Sequence, residues 1–121
     1  MTIRSLIDKV QAEKPNTFTD AQIVAFVNEV EGNVSEELRT RRTIYTANTD
    51  MDKKLLAPAP YDRLYVSYVK AMIDFANEEY GSYQLNQQQF GLDFEDFSNW
   101  VVRTNRAEED LYIPHRLRNV L

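Results

Sequence analysis

The sequence predicts a small all-α domain, a bundle of about four helices, on three observations. The chain has 121 residues, which is the length of one domain. It holds only three glycines, and its four prolines stand at three places, so long elements run without interruption. Apolar residues recur at the three- and four-residue spacing of a helix face in four separate stretches. We therefore expect one helical domain over residues 1–106 and a C-terminal tail over residues 107–121.

Capping residues as well as periodicity predict the first two helices. Thr2 is a candidate N-cap for a helix that ends near Glu13, just before a proline, although no acidic capping-box partner follows it. Thr19 and Gln22 form a capping box for the second helix, which we expect to run to about Arg39. The apolar stripe of this helix comprises Ile23, Phe26, Val27, Val30, Val34 and Leu38.

A long irregular connection over residues 43–59 separates the second helix from the third. Connections of this length are uncommon in compact domains and are often functional. Its residues Asn48, Asp50 and Asp52 have the alternate spacing with which an EF-hand calcium loop begins. However, the position that needs glycine is Lys53, and the required glutamate is missing, so we interpret the segment as Asp/Asn turns.

The third helix is predicted over residues 61–80, with apolar residues around more than half of its circumference. Such a helix contacts neighbours on several sides, so it is either central in the bundle or also meets another subunit. Polar residues, among them Ser67 and Asp74, fill the remaining arc.

The fourth helix is predicted over residues 82–103, after a break or a kink at Gly81. Its aromatic residues form one stripe, and Leu85 and Leu92 lie nearly opposite, which indicates a second contact surface. We expect its acidic residues Asp93, Glu95 and Asp96 to form the solvent-exposed face.

Composition excludes several classes of function. The formal net charge of −5 argues against general nucleic-acid binding, which needs a basic surface. The absence of cysteine excludes disulfides, zinc–thiolate sites and a thiol nucleophile. No apolar run approaches the roughly 20 residues of a membrane span, so we expect no membrane partner.

No motif for catalysis is found in the sequence. His115 is the only histidine, and the three glycines are isolated, so no phosphate-binding loop exists. We therefore expect no enzyme activity, no cofactor and no metal site, and we keep a carboxylate-based metal enzyme only as a further alternative.

Candidate contact residues come from an excess of tyrosine and from a single basic cluster. The seven tyrosines exceed what one small core needs, and tyrosine is enriched at protein interfaces. The basic cluster is either a solvated helix end or a docking patch for an acidic partner or phosphate. The candidate contacts with other subunits or partners are Tyr61, Tyr65, Tyr68, Leu85, Leu92, Arg39, Arg41, Arg42, Tyr112 and Ile113.

The segment from Leu55 to Tyr65, Leu-Leu-Ala-Pro-Ala-Pro-Tyr-Asp-Arg-Leu-Tyr, resembles the head–tail connector proteins of long-tailed phages of Gram-positive bacteria. The turn that begins at Lys14, the loop from Tyr45 to Asp50 and the aromatic spacing of the fourth helix are similar as well. The resemblance covers about residues 2–103, and the tail after Arg103 departs from it.

This resemblance implies a structural virion protein, or adaptor, without catalytic activity. Its subunits would form a homo-oligomeric ring, a dodecamer in the virion, at the neck between head and tail. The implied partners are the portal protein above and a head-completion (stopper) or tail protein below, with assembly in the host cytoplasm. The ring would extend the DNA channel, and an acidic surface fits DNA that passes without specific binding. The alternative is a small monomeric helical adaptor or regulator that binds a single protein partner.

Overall fold

Four helices make up the computed structural model, which describes the backbone of residues 1–112 and the side chains of residues 1–105. In chain order they are α1 (Ile3–Glu13), α2 (Asp20–Leu38), α3 (Arg63–Ala76) and α4 (Tyr80–Tyr112). Between residues 1 and 112 the only β-type pairing is an isolated antiparallel bridge from Thr2 to Lys54. The predicted small all-α fold is therefore confirmed. No helix in this range is both long enough and apolar enough to cross a membrane.

The first two helices begin at the capping residues that predicted them. Thr19 Oγ1 accepts the Gln22 N–H at 3.2 Å, and Gln22 Oε1 accepts the Thr19 N–H at 2.8 Å, which completes the capping box. Thr2 Oγ1 accepts the Ser5 N–H at 3.1 Å, as an N-cap should. Ser5 Oγ also accepts the Thr2 N–H at 2.9 Å, so a serine takes the role of the missing acidic partner.

The predicted apolar stripes of the first three helices meet in one core, to which α4 adds Phe97 and Val101. The buried apolar side chains of α1 and α2 are Ile3, Leu6, Val10, Ile23, Val24, Val27, Val30 and Val34. Those of α3 are Leu64, Tyr65, Val66, Val69, Ala71 and Ile73. Full burial of one such large side chain contributes about 1.5–3 kcal/mol, so this core is the main source of the bundle's stability.

The connection between α2 and α3 is bonded to the beginning of α1. The Arg4 N–H donates to the Met51 carbonyl at 2.9 Å, and the Ile3 N–H donates to the Lys53 carbonyl at 3.2 Å. The first N–H groups of a helix have no partner within the helix. The connection supplies partners for two of them, which fixes its path across the bundle.

The third helix is shorter than predicted at both ends. The expected range was 61–80, whereas α3 begins at Arg63 and ends at Ala76. The helix cannot continue because Glu78 adopts a left-handed conformation with φ of 58°. The break between the two helices thus lies at residues 77–79 and not at Gly81, which lies inside α4.

The fourth helix is longer than predicted at both ends. It spans Tyr80–Tyr112 instead of residues 82–103. The predicted division between domain and tail, after residue 106, consequently falls within a helix.

The interface between α3 and α4 contains polar side chains that sequence periodicity assigned elsewhere. Asp93 was expected on the solvent-exposed face of α4, and this prediction was wrong, because the residue is buried. Its carboxylate accepts a hydrogen bond from Ser67 Oγ at 2.5 Å and from Gln89 Nε2 at 2.9 Å, and it pairs with Arg63 Nε at 3.2 Å. These partners offset the cost of burying a charge. Part of the polar arc of α3 thus faces α4.

A second buried carboxylate, Asp74, joins α1, α3 and α4. It forms an ion pair with Lys14 at the end of α1, and it accepts hydrogen bonds from Ser82 Oγ at 2.8 Å and Asn86 Nδ2 at 2.6 Å. Burial opposes ionisation, but the hydrogen bonds from Lys14, Asn86 and Ser82 outweigh it and lower the pKa of Asp74. The hydrogen bond to Asp74 likewise raises the pKa of Lys14.

Candidate assembly surfaces

A buried carboxylate on α2, Glu31, fixes the segment that carries the family resemblance. Glu31 Oε1 accepts a hydrogen bond from the Tyr65 hydroxyl at 2.5 Å. Glu31 Oε2 accepts one from the Tyr45 hydroxyl at 2.7 Å and one from the Leu56 N–H at 3.0 Å. One side chain of α2 therefore binds both ends of the connection and the first turns of α3.

Tyr65 lies in the core of the subunit and is not a surface contact, contrary to its place among the candidate residues. Its side chain has no solvent exposure, and its hydroxyl accepts the Ala57 N–H at 2.9 Å. Burial, together with the nearby Glu31 carboxylate, raises the pKa of Tyr65 far above its ordinary value. Tyr65 therefore stays protonated and donates to Glu31.

Tyr61 and Tyr68 are half-buried, so each presents only one edge to the surface. The Tyr61 ring stacks on Trp100 with ring centroids 5.3 Å apart. The Tyr68 hydroxyl donates to Glu29 Oε2 at 2.7 Å, and its ring meets Phe90 edge to face at 5.1 Å. Burial and the Glu29 carboxylate raise the pKa of Tyr68. Both rings can contribute to an interface only as part of a larger patch.

Leu85 and Leu92 are the most exposed of the apolar and aromatic candidate contacts with described side chains. Leu85 is 70% exposed and Leu92 is 59% exposed, and the seven-residue spacing puts them on one face of α4. The stretch from Tyr80 to Leu92 contains no Asp, Glu, Lys or Arg. We call the exposed side of this stretch the neutral face of α4. A long helix face without charge is unusual beside solvent in a chain that is 27% charged.

Two glycines lie in the same uncharged stretch. A Cβ atom added at Gly81 or at Gly91 would meet nothing within 4 Å. Neither position has a positive φ. Each glycine costs a helix about 1 kcal/mol relative to alanine, and nothing within the described subunit requires either one.

An exposed aromatic cluster lies at the turn between α3 and α4. Phe75 and Tyr80 are each 55% exposed, and Tyr83 is half-buried. The ring of Phe75 lies 5.3 Å from that of Tyr83 and 6.2 Å from that of Tyr80. The tyrosine excess noted in the sequence was a signal for this cluster.

The basic cluster consists of Arg39, Arg41 and Arg42. Arg42 is hydrogen-bonded within the subunit, whereas Arg39 and Arg41 are exposed to solvent. Arg39 ends α2 in a left-handed conformation, and Arg41 follows it into the exposed connection. The Arg42 guanidinium lies over Gly32 and donates to the Asn28 carbonyl at 3.3 Å. Arg39 and Arg41 are therefore the members of this cluster that a partner can contact.

A groove between α2 and α4 was not predicted. It has a volume of about 210 Å³ and is lined by Asn33, Glu36 and Glu37 of α2 and by Phe90 and Phe94 of α4. Among the residues with described side chains, no cation pairs with either glutamate. The aromatic stripe of α4 was predicted from the sequence, whereas the helix end that lies beside it was not. We call this feature the acidic groove.

Two candidate contacts lie partly or wholly outside the described residues. Tyr112 is the last residue of α4, and its side chain lies outside the described residues. Ile113 lies outside them altogether.

The connection between α2 and α3 adopts the turn chemistry that was predicted for it. The Asp50 carboxylate accepts the Thr46 N–H at 2.8 Å, within a turn over residues 47–49. Across the described residues no three Asp, Glu, His or Cys side chains come together as metal ligands.

No protein-family model, no curated protein and no solved structure matches this chain. Its function is therefore inferred from its own residues and their arrangement.

Proposed function

We propose that this chain is a structural virion protein, a subunit of a phage head–tail connector. In this proposal the subunits form a ring below the portal protein at the neck of the virion. The ring extends the DNA channel and presents a docking surface to a head-completion or tail protein. It performs no chemistry, and DNA passes through it without specific binding.

The neutral face of α4 is the observation that carries this proposal. It exposes Leu85 and Leu92 in a stretch without charge, and Gly81, one helical turn before Leu85, leaves room for another backbone to approach closely. Uncharged surfaces with exposed apolar side chains are typical of the centre of a protein–protein interface. A structural subunit that is repeated around a ring needs such a surface on its side.

The structural setting of residues 55–65, the segment that resembles head–tail connector proteins, is a second observation that supports the proposal. Residues 55–65 are bonded to α2 through the hydrogen bonds of Leu56 and Tyr65 to Glu31. A segment held this firmly has an architectural role, as expected of a subunit whose task is to hold a fixed shape in an assembly.

Native mass spectrometry of the purified chain, alone and with its cognate portal protein, tests the proposal. We expect a ring, either in solution at micromolar concentration or only on the portal. The double variant Leu85→Ser/Leu92→Ser should stay folded, because both side chains are exposed, and should fail to assemble. The variant Ile44→Ser is the matched control, because Ile44 is 68% exposed but lies in the connection.

The outcomes separate the connector from the monomeric adaptor. A chain that stays monomeric alone and also fails to assemble on the portal is not a connector subunit. A one-to-one complex with a single other protein would favour the adaptor. Normal assembly of the double leucine variant would show that the neutral face is not the lateral contact.

A further inference from the structure

The acidic groove has the chemistry of a site for a cationic side chain. Glu36 and Glu37 supply negative charge at its rim, and the half-buried rings of Phe90 and Phe94 form its floor. A guanidinium group can stack on an aromatic ring while it pairs with a carboxylate. The volume of about 210 Å³ is below the roughly 300–1,000 Å³ of small-molecule sites, which favours one inserted side chain.

The C-terminal segment of the chain carries matching groups. Residues 113–121, which lie outside the described residues, have the sequence Ile-Pro-His-Arg-Leu-Arg-Asn-Val-Leu. Arg116 and Arg118 flank Leu117, and the segment contains no Asp or Glu. This short basic and apolar segment therefore complements the groove in charge and in apolar character.

The segment cannot place Arg116 in the groove of its own chain. Phe90 and Phe94 precede Tyr112 by 22 and 18 residues on one helix, which corresponds to about 33 and 27 Å at 1.5 Å per residue. Arg116 is only four residues beyond Tyr112, so its backbone extends at most about 14 Å from the helix end. Even with its long side chain Arg116 falls short, so an Arg116 that occupies the groove must come from another copy.

We infer that the C-terminal segment of one subunit docks in the acidic groove of a neighbouring subunit, with Arg116 against Glu36 and Glu37. This inference rests on the proposed function, because it requires copies of the chain to associate. The contact joins two different surfaces, the groove of one copy and the tail of the next. Such head-to-tail contacts generate rings when the rotation closes.

Disulfide trapping between two single-cysteine variants of the full chain tests the inference, because the natural sequence has no cysteine. Asn33→Cys puts a thiol at the rim of the groove, and Leu117→Cys puts one between the two tail arginines. When the two proteins are mixed and oxidised, intact mass spectrometry should show the mixed disulfide in about tenfold excess over that formed with a control. The control replaces Asn33→Cys by Ala25→Cys, another exposed position on α2. A disulfide needs Cα atoms within about 7 Å, so an enriched product reports docking.

Charge reversal shows whether the acidic and basic groups hold the contact. Arg116→Glu/Arg118→Glu in the Leu117→Cys chain should reduce the mixed disulfide to the level of the control. Adding Glu36→Arg/Glu37→Arg to the Asn33→Cys chain should restore it. Equal trapping at positions 33 and 25, or trapping that ignores charge reversal, would overturn the inference.

The same measurements keep this inference separate from the proposed function. Rings seen by native mass spectrometry without enriched trapping would overturn the tail contact and leave the connector proposal standing. Enriched trapping in a protein that forms no ring and does not bind the portal would support the tail contact and overturn the connector proposal. No self-association under any condition would overturn both.

Discussion

Single carboxylates have a large influence on this small bundle. Glu31 has no solvent exposure, and its carboxylate accepts three hydrogen bonds of 2.5 to 3.0 Å. A buried charge is tolerated only when such partners replace the water it has lost. Removal of any one donor therefore leaves a buried group with fewer partners, and the connection loses an attachment to α2.

We expect Tyr65→Ala to lower the free energy of unfolding by about 3–5 kcal/mol, the usual cost of deleting a large buried aromatic ring. Tyr65→Phe keeps the ring but removes the partner of Glu31 Oε1 and of the Ala57 N–H, and it should cost about 1–3 kcal/mol. Urea denaturation followed by circular dichroism measures both values.

Tyr61→Phe is the matched control, because the Tyr61 hydroxyl accepts only a 3.4 Å hydrogen bond from Arg103 at the surface. It should change stability by less than about 0.5 kcal/mol. If Tyr65→Phe were equally neutral, the Glu31 network would not hold the connection.

The ion pair between Lys14 and Asp74 makes stability depend on pH at both extremes. The lowered pKa of Asp74 means that its contribution is present above the unfolded pKa of about 3.9 and is lost as the pH falls through the lower folded value. The raised pKa of Lys14 means that its contribution is present below about pH 10.4 and is lost as the pH rises through the higher folded value. Urea midpoints from pH 2.5 to 7 measure the acid side.

Asp74→Asn should cost about 1.5–3 kcal/mol at neutral pH and should flatten the acid dependence. Asp8→Asn is the control, because Asp8 is exposed and makes no ion pair among the described residues. An acid profile that Asp74→Asn leaves unchanged would assign the dependence to other carboxylates.

At the level of elements, the helix ends that depend on neighbouring residues were predicted correctly from the sequence. The capping residues Thr2 and Thr19 and the valines of α2 act on neighbours a few positions away, so the first two helices were predicted within one or two residues. The end of α3 was not predicted, because Glu78 rather than a glycine adopts the left-handed conformation there.

The candidate surfaces were predicted only where one helix determines exposure. Leu85 and Leu92 are exposed as their position on the wheel indicated. Tyr65 and Asp93 were misplaced because their partners come from distant parts of the chain, Glu31 on α2 and Arg63 on α3. Helix periodicity gives the direction in which a side chain points, but it does not identify the residue from another helix that the side chain contacts.

The glycines of α4 give a prediction that separates folding from assembly. Gly81→Ala and Gly91→Ala should each stabilise the isolated subunit by about 0.5–1 kcal/mol, because helix formation becomes easier and nothing blocks the added Cβ. If the neutral face is the lateral contact, the double variant should nevertheless assemble less well. Thermal unfolding and native mass spectrometry measure the two effects.

Gly32→Ala is the matched control for these variants. A Cβ at Gly32 would lie 3.3 Å from Arg42 Cζ, so the helix gain is offset by displacement of the guanidinium. This variant should change stability little and should leave assembly intact. Stabilised double variants at positions 81 and 91 that assemble normally would show that the glycines do not face another subunit.

The charge of the whole molecule sets how an assembly of it would treat DNA. Each copy carries a formal charge of −5, and every added copy increases the negative field that a duplex experiences. Among the residues with described side chains, the exposed Arg39 and Arg41 form a local basic exception, so we expect attraction of this part of the chain to phosphate to originate there. A channel that DNA must traverse in both directions benefits from weak contacts, because each phosphate neutralised adds to the grip.

We expect no change in the fluorescence anisotropy of a labelled 30-base-pair duplex up to about 100 µM protein at 150 mM salt, a concentration at which DNA-binding proteins already bind non-specifically. Lowering the salt should not create tight binding. Tight binding at low salt requires basic side chains that displace counterions from the DNA phosphates, and an acidic protein offers few of these. The double variant Arg39→Glu/Arg41→Glu should give the same flat curve. Binding by the natural chain that weakens steeply with salt and disappears in this variant would instead identify the arginine pair as a phosphate site, and the channel would then retain DNA as well as guide it.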